Sequence, residues 1–181
     1  LGAEDLDTLP ALRAVFYGAG SVQAFARPFL ERGITVVSAW AANAVPVAEF
    51  CLAQILLATK GYFVNTRQLS GPDKWRGGYR GPGNYGETVS LIGLGMISQT
   101  LIELLRPIHL RVLVVSSHLT QEGAEELGVR KVTMEEAFRE GLVVSNHLAN
   151  LPHTQGVLHR GLFGAMRPHA TFINTGRGAQ V

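Results

Sequence analysis

The segment Gly93-Leu-Gly95-Met-Ile-Ser98 limits the possible folds of this chain more than any other feature. It follows a short apolar run that reads as a β-strand, and it precedes a stretch whose apolar residues recur with helical spacing. In such a strand–turn–helix unit, the first glycine permits the tight turn and the second lets the backbone approach a pyrophosphate, while the helix N-terminus supplies N–H donors. Ser98 occupies the position of the usual third glycine. We predict a dinucleotide-binding turn; a glycine turn without a ligand is the alternative.

Further strand-like and helix-like segments alternate along the chain. Apolar and β-branched runs predict strands at 13–17, 34–38, 88–92, 110–115, 142–145 and 170–174. Helical segments lie between them. Pro28 and Gly33 mark the start and the end of one helix, and Thr133 with Glu136 forms a capping box that opens another. This alternation predicts an α/β fold with a doubly wound parallel sheet, the Rossmann arrangement.

A long apolar helix is predicted between the second strand and the glycine turn. Asn43 is a suitable N-cap, Pro46 falls in the first turn, and the helix is expected to run to about Gln68. Residues 47–58 are apolar nearly all round, which predicts a helix buried on several sides, at a domain junction or a subunit contact. Residues 71–87 are rich in glycine, proline and charge and are the best candidate for a linker.

Composition excludes several classes of protein. The chain has 16 Lys and Arg against 14 Asp and Glu, a formal charge of +2, and it has no basic run, so no nucleic-acid partner is expected. The single cysteine, Cys51, excludes an internal disulfide framework and a Cys-based metal site, and no metal is expected. The apolar region from Ala44 to Thr59 is broken by Glu49 and Gln54, so no membrane span is expected. No signal peptide is visible, which predicts a cytoplasmic location.

The end of the strand at 110–115 bears on the choice of cofactor. In NAD-binding turns, an acidic residue about 20 positions after the first glycine binds the ribose 2′-hydroxyl. This chain has Ser116 there, followed by a serine and a histidine. A carboxylate would repel the 2′-phosphate of NADP, so its absence removes a barrier to that cofactor. Arg111 and Arg130 could attract the phosphate only where the fold brings them close. Both NAD and NADP stay open, and the sequence leans weakly to NADP.

A set of stretches stands in a distinctive order along nearly the whole chain. They are Gly18-Ala-Gly20, Asn43-Ala-Val-Pro-Val-Ala-Glu49, Lys74-Trp75, Gly86-Glu-Thr-Val-Ser-Leu-Ile-Gly-Leu-Gly95, Val144-Ser-Asn-His147 with Pro152 and Thr154, and Met166-Arg-Pro-His-Ala-Thr-Phe-Ile-Asn-Thr-Gly-Arg-Gly178. In order and spacing, the chain resembles the D-isomer-specific 2-hydroxyacid dehydrogenases. This family includes phosphoglycerate, hydroxypyruvate and D-lactate dehydrogenases.

The resemblance implies a substrate site around Arg177, which matches the family's catalytic arginine. A guanidinium fork can hold the carboxylate of a 2-oxoacid and polarise its carbonyl. Ala19 and Gly20 match the loop whose backbone N–H groups meet the substrate carboxylate and the nicotinamide side of the cofactor. Taken alone, an arginine between two glycines after a strand is more often a solvated turn residue.

The same resemblance implies a set of residues that line the cofactor. They are Ala19, Gly93, Gly95, Met96, Ile97, Ser116, His147, Leu148, Thr175, Gly176 and Arg177. His147 is expected to shape the cofactor pocket rather than to act as a base. His153 and His169 are expected at the surface or in turns. Cys51 is expected in the core, and Glu49 at the domain junction.

The resemblance also implies a domain organisation. Residues 1–42 are expected to be part of a second, flavodoxin-like substrate domain, and 43–87 to be the long helix and linker between domains. Residues 88–181 are expected to form the dinucleotide-binding domain, incomplete at its C-terminus. The family's catalytic histidine and its glutamate partner follow the stretch equivalent to 174–178. We therefore expect the chain to be an internal fragment that lacks both residues.

Two main functions are predicted. The first is an oxidoreductase that transfers a hydride between a nicotinamide cofactor and a small 2-hydroxyacid or 2-oxoacid. The second is a non-catalytic dinucleotide-sensing regulator, because transcriptional corepressors are built on the same fold; Ser98 and Ser116 favour it. A related Rossmann hydrolase or amino-acid dehydrogenase is a weaker third, against which the segment around Arg177 argues. The family forms two-fold dimers around the apolar helix, so a homodimer is expected.

Overall fold

The computed structural model describes residues 3–68 and 78–181. These residues belong to two compact units, Leu1–Pro46 and Val47–Val181. The Lys74-Trp75 stretch and the first part of the predicted linker lie outside the described residues. The assignment of 1–42, 43–87 and 88–181 to functional domains stays a prediction.

The first unit contains one parallel βαβ motif. Its elements are α1 (Ala3–Leu6), β1 (Ala14–Tyr17), α2 (Ala26–Glu31), β2 (Thr35–Ser38) and the beginning of α3 (Trp40–Thr59). β1 and β2 pair in parallel, with Ala14 opposite Thr35. A small core of Leu6, Phe29 and Ile34 lies under this pair.

The second unit is a five-stranded parallel sheet with helices between its strands. After the end of α3, its elements are α4 (Tyr62–Gln68), β3 (Thr88–Ile92), α5 (Met96–Leu105), β4 (Arg111–Val115), α6 (Gln121–Leu127), β5 (Arg130–Lys131), α7 (Met134–Glu140), β6 (Val143–Asn146), α8 (Arg160–Gly164) and β7 (Thr171–Asn174). The strand order is β5-β4-β3-β6-β7. The predicted doubly wound Rossmann sheet is confirmed, whereas the flavodoxin-like second domain stays a prediction.

β3 is the central strand, and it positions the candidate site. All five of its residues are buried, as expected for a strand in the middle of a parallel sheet. β3 pairs with β4 on one side and with β6 on the other, so the chain reverses its direction of winding there. Ligands of open α/β sheets bind beyond the carboxyl ends of the strands at such a reversal. Gly93 directly follows β3 at this point.

The long helix differs from its prediction in two ways. α3 begins at Trp40, so Asn43 lies inside the helix, where its N–H donates to the carbonyl of Ala39 at 2.8 Å, and it is not the N-cap. α3 ends at Thr59 instead of continuing to Gln68. Gly61 has a φ of +75°, and a Cβ there would lie 2.5 Å from the carbonyl oxygen of Tyr79. This left-handed residue and the nearby chain interrupt the helix.

α3 buries one face rather than several. Ala48, Cys51 and Ile55 are fully buried in the core of the second unit, which confirms the expected place of the cysteine, whereas Phe50 is 53% exposed. α3 is long and apolar enough to cross a membrane, with a mean hydropathy of 1.6, so the expectation that no segment spans one stays a prediction. That comparison concerns length and composition only.

Candidate functional site

The predicted dinucleotide turn lies at the carboxyl end of β3. Gly93 has a φ of +93°, which an L side chain rarely adopts. A Cβ at this position would also lie 3.2 Å from the carbonyl oxygen of His147, at the end of β6. The Gly93 N–H donates to the carbonyl of Val115 at 2.8 Å, which ties the turn to the end of β4. Both the conformation and the neighbouring strand therefore require glycine here.

The N-terminus of α5 is open toward the same edge of the sheet. Gly95 is its N-cap, in an extended conformation, and a Cβ there would meet no described atom within 4 Å. None of the described side chains caps this ten-residue helix, so the first-turn N–H groups of Met96 and Ile97 are available to a ligand. These amides and the helix dipole together favour an anion. The geometry fits the pyrophosphate of a dinucleotide.

Ser98 closes the turn from inside. Its side chain is fully buried, and its hydroxyl donates to the carbonyl oxygen of Gly93 at 2.7 Å. The serine is small enough to let α5 pack closely on β3, which is the role of the third glycine in the usual pattern. The departure from that pattern therefore leaves the turn intact.

The end of β4 offers polar groups without a carboxylate. Ser116 is half-buried, and its hydroxyl accepts a hydrogen bond from the N–H of His118 at 3.2 Å. Arg111 begins β4, at the opposite end of the strand from Ser116. Arg130 forms an ion pair with Glu140. The fold therefore does not deliver Arg111 to the ribose position, and Arg130 is already paired.

The ends of β6 and β7 bring two predicted residues together. The Nδ1 atom of His147 lies 3.1 Å from the hydroxyl of Thr175. His147 is buried, and its Nε2 atom has no hydrogen-bond partner among the described residues. Burial lowers the pKa of His147 to about 4, so the ring is neutral at pH 7. A neutral, enclosed imidazole is suited to shaping a pocket, and the place of His147 in the cofactor site stays a prediction.

Cys51 of α3 lies behind this pair. Its Sγ atom is 3.8 Å from the hydroxyl of Thr175. Burial raises the pKa of the Cys51 thiol, which keeps it protonated at neutral pH. The thiol is therefore an inert packing group beneath the strand ends.

A network of amide side chains, of which Asn146 and Gln180 are buried and Asn174 is exposed, supports the turn after β7. The Nδ2 atom of Asn146 donates to Oδ1 of Asn174 at 3.1 Å and to Oε1 of Gln180 at 2.7 Å. Oδ1 of Asn174 also accepts from the N–H of Gly176 at 3.0 Å. Through these contacts, the end of β6 fixes the backbone that carries Gly176 and Arg177.

Arg177 stands exposed at the same carboxyl edge as the glycine turn. Its Nη1 atom donates to the carbonyl oxygen of Gly176 at 3.1 Å, which orients the guanidinium along the turn. None of the ion pairs found within the described ranges involves this side chain. A carboxylate ligand can therefore approach it.

Ala19 and Gly20 belong to the first unit, in the bend that follows β1. The hydroxyl of Ser38, at the end of β2, lies 2.9 Å from the carbonyl oxygen of Ala19 and 2.6 Å from that of Gly20. With the carbonyls held by this hydroxyl, the bend has a defined backbone. The role of Ala19 and Gly20 in binding a substrate carboxylate or the cofactor stays a prediction.

Sequence reasoning did not identify three residues that build this site: Asn146, Asn174 and Gln180. Each is an amide whose partners come from another strand end or from the turn after β7. The one local signal was a glutamine, at position 180, close behind the arginine turn. Its importance is visible only after β6 and β7 are placed side by side.

The sequence matches a known domain. The profile of the D-isomer specific 2-hydroxyacid dehydrogenase NAD binding domain covers residues 52–181. The D-3-phosphoglycerate dehydrogenase of Methanocaldococcus jannaschii is 27% identical over 152 residues, which are 83% of this chain and 29% of that protein. The enzyme of the same name from Mycobacterium tuberculosis strain H37Rv is 26% identical over 180 residues, 99% of this chain and 34% of that protein. The chain thus spans about a third of the length of these relatives.

Solved structures share the fold. D-lactate dehydrogenase from Escherichia coli superimposes with a TM-score of 0.77 at 23% identity, covering 99% of this chain and 56% of that one. D-mandelate dehydrogenase from Rhodotorula graminis superimposes with a TM-score of 0.81 at 20% identity, covering 99% of this chain and 56% of that one. An acyclic imino acid reductase in complex with NADPH and D-Arg superimposes with a TM-score of 0.76 at 21% identity, covering 100% of this chain and 58% of that one.

The matched profile covers more than half of the chain and includes the glycine turn, the strand ends and Arg177. The sheet order and the open N-terminus of α5 agree with that match. The chain therefore belongs to the D-isomer specific 2-hydroxyacid dehydrogenase family.

Proposed function

We propose that this chain acts in an oxidoreductase that transfers a hydride between a nicotinamide cofactor and a small 2-hydroxyacid or 2-oxoacid. The observation that carries the proposal is the placement of Arg177 at the carboxyl edge of the sheet that also bears the Gly93 turn. One edge of one rigid sheet thus presents an anion-binding helix end and an exposed guanidinium. A dinucleotide and an organic acid need these two groups.

Each group has a defined part in the proposed reaction. The N–H groups of Met96 and Ile97 hold the pyrophosphate, and the glycines let the backbone approach it. Arg177 holds the acid carboxylate and draws electron density from the neighbouring carbonyl. The bound nicotinamide supplies or accepts the hydride.

The proton has to come from another residue. His147 is unsuited to this role because it is buried and its pKa is about 4. The family resemblance assigns the proton to a histidine paired with a glutamate, which we propose lie C-terminal to the stretch at 174–178. In this proposal, the described residues contribute the cofactor-binding turn and the anchor for the acid.

For the cofactor, we propose that NAD and NADP both bind and that NADP is weakly favoured. Ser116 and the exposed His118 present no negative charge to a 2′-phosphate. Arg130 is paired with Glu140, so a strong preference for the phosphate has no support from that side chain. The family profile is one of NAD binding, and a structural neighbour binds NADPH.

We also propose that the protein is a cytoplasmic homodimer that contacts neither nucleic acid nor a membrane. The support for the dimer is α3, whose Phe50 is 53% exposed although the helix is apolar on most sides. Light scattering of the full-length protein tests this, and a monomer would contradict it.

The function is tested by binding and turnover on the full-length protein. Calorimetric titration with NADH and NADPH comes first, followed by a screen of small 2-oxoacids. Arg177→Ala should lower kcat/KM by about 100- to 1,000-fold, the loss typical of one electrostatic contact to the reacting oxygen. Arg139→Ala, an exposed arginine on α7, is the matched control and should leave kcat/KM unchanged. Tight cofactor binding without turnover on any acid would favour the regulator instead.

A further inference from the structure

We infer that Gln180 is a positioning residue, which sets the turn carrying Arg177 and links it to the cofactor-lining segment after β6. The inference rests on the proposed function, because that function gives Arg177 its role as the acid anchor. Gln180 lies in the 3₁₀ turn Gly178–Gln180 and is fully buried. No local sequence pattern predicts that this glutamine is buried.

The Gln180 amide is satisfied at both ends. Oε1 accepts from Nδ2 of Asn146 at 2.7 Å and from the N–H of Arg177 at 3.3 Å. Nε2 donates to the carbonyl oxygens of Leu148 at 2.9 Å and Ala149 at 3.0 Å. An amide side chain has two donors and an oxygen that accepts two bonds, so all four positions are used. Because two partners are donors and two are acceptors, only one orientation of the amide fits.

The arginine turn packs directly on this amide. A Cβ at Gly176 would lie 2.6 Å from Oε1 of Gln180 and 3.1 Å from Nδ2 of Asn146. The turn therefore approaches the amide as closely as a glycine allows. Since the N–H of Arg177 is bonded to the same oxygen, the backbone of Arg177 cannot shift without breaking this partly buried hydrogen bond.

The backbone of Gln180 is itself anchored. Its carbonyl accepts from the N–H of Leu158 at 2.8 Å, and the carbonyl of Ala179 accepts from Gly156 at 2.9 Å. Side chains that hold functional groups act best when their own geometry is locked by packing and hydrogen bonds. Gln180 meets that condition on both its backbone and its side chain.

The opposite ends of the amide face two different parts of the site. Oε1 holds the Arg177 turn, and Nε2 holds the carbonyls of Leu148 and Ala149, where the cofactor is predicted to lie. A shift of this segment on cofactor binding would pass to the arginine turn through one rigid group. We therefore expect Gln180 to couple cofactor binding to acid binding.

The test uses Gln180→Met in the full-length enzyme, because methionine is unbranched and of similar length but forms no such hydrogen bonds. We expect the KM for the 2-oxoacid to rise by about 10- to 100-fold, as misplacement of a binding group by an ångström does. The Kd for NADH measured without acid should also rise several-fold, because methionine no longer donates to the carbonyls of Leu148 and Ala149. Oxamate, a 2-oxoacid analogue, should tighten NADH binding in the wild type but not in this variant.

Ser90→Ala is the matched control. Ser90 is fully buried in β3, and its hydroxyl donates to the carbonyl oxygen of Ala137 at 2.8 Å, on α7. This variant also loses a buried hydrogen bond and should unfold at a lower temperature, yet keep the acid KM. A KM for Gln180→Met equal to that of Ser90→Ala would overturn the inference.

Gln180→Glu distinguishes the effect of the bonds to Oε1 from the effect of the bonds to Nε2. It also serves as the test variant if Gln180→Met does not fold. The carboxyl group can still accept from Asn146 and Arg177, but even in its protonated form it can donate to only one of the carbonyls of Leu148 and Ala149. We expect the acid KM to stay near the wild-type value while NADH binds more weakly. Equal increases of acid KM in both variants would contradict the assigned geometry. An inactive wild type would overturn the proposed function, whereas an active wild type with an unaffected Gln180→Met would overturn this inference alone.

Discussion

The hydroxyl of Ser98 donates a hydrogen bond to the carbonyl oxygen of Gly93, 2.7 Å away across the turn between β3 and α5. The usual dinucleotide turn has a third glycine at this place, which lets the helix pack closely on the strand. Serine is nearly as small and adds a bond within the turn. Ser98 thus holds the same turn that the third glycine would allow. Its presence in place of glycine therefore does not favour the hypothesis of a non-catalytic regulator.

Ser98→Ala should weaken this turn. The change removes the donor to Gly93 and should lower the free energy of unfolding by about 1 kcal/mol, the usual contribution of such a bond. Cofactor affinity should fall several-fold because the pyrophosphate-binding backbone is less well fixed. Urea denaturation and calorimetric titration measure the two effects. Gln99→Ala, on the exposed side of the same helix, is the control, and equal results for both variants would show that the bond is unimportant.

Gly93→Ala should affect both folding and cofactor binding. The new Cβ would sit in a left-handed conformation and 3.2 Å from the carbonyl oxygen of His147. The strain alone amounts to about 1–2 kcal/mol, and the contact adds to it. Gly128→Ala isolates the strain, because Gly128 also has a left-handed φ of +68° but a Cβ there would meet no described atom within 4 Å.

Both glycine variants should therefore unfold more easily, and the loss of NADH affinity should be confined to Gly93→Ala. Thermal unfolding and fluorescence titration with NADH distinguish the two. If Gly93→Ala were to bind NADH as tightly as Gly128→Ala, the turn would not be a cofactor site.

The sheet could be predicted because its signals are local. β3, Thr88–Ile92, combines three aliphatic residues with two small hydroxyl residues, and all five of its residues are buried. The capping box of Thr133 and Glu136 is present at the start of α7, with both reciprocal hydrogen bonds formed. The glycine pattern likewise specifies its own turn. Each of these features depends on residues within a few positions of each other.

The features of the fold and of the site that were not predicted depend on contacts between distant parts of the chain. β5 consists of Arg130 and Lys131, both exposed, so no apolar pattern marks it. The end of α3 is set by Gly61, where a chain segment distant in sequence passes within contact distance. In the site, Asn146 and Gln180 are separated by 34 positions, and their bond exists only after β6 and β7 pair. Sequence patterns report periodicity, and they carry no information on such pairings.

Glu87→Gln should destabilise the start of β3. Glu87 is buried and receives two hydrogen bonds from Arg167, one of them 2.6 Å long. Burial raises the pKa of Glu87, but the Arg167 guanidinium and the Thr88 N–H outweigh it and hold the pKa below its ordinary value. At pH 7 the variant should lose about 2 kcal/mol, less than for a fully enclosed pair because Arg167 is partly exposed.

The loss in Glu87→Gln should disappear in acid. A carboxyl whose pKa is lower in the folded than in the unfolded state stabilises the fold above its unfolded value, here 4.5. That contribution is lost as the pH falls below 4.5 and through the folded value. Denaturant unfolding at pH 7, 5, 4 and 3 follows the difference between wild type and variant. Glu103→Gln, which breaks an exposed pair with Arg106, is the control; a difference that does not shrink between pH 5 and pH 3 would rule out the ion pair as its source.

His147 should make stability fall over a separate pH range. Burial lowers its pKa from 6.5 to about 4, so the folded state resists a proton that the unfolded state accepts. The stabilisation is complete above pH 6.5 and is lost as the pH falls toward 4. A shift of this size corresponds to about 3 kcal/mol.

His147→Gln has no ring to protonate and should lack this part of the decline, whereas His153→Gln, at an exposed position, should keep it. Unfolding free energies at pH 7, 6, 5 and 4 give the three curves, and parallel curves for all three proteins would mean that the histidine is not held neutral by its surroundings.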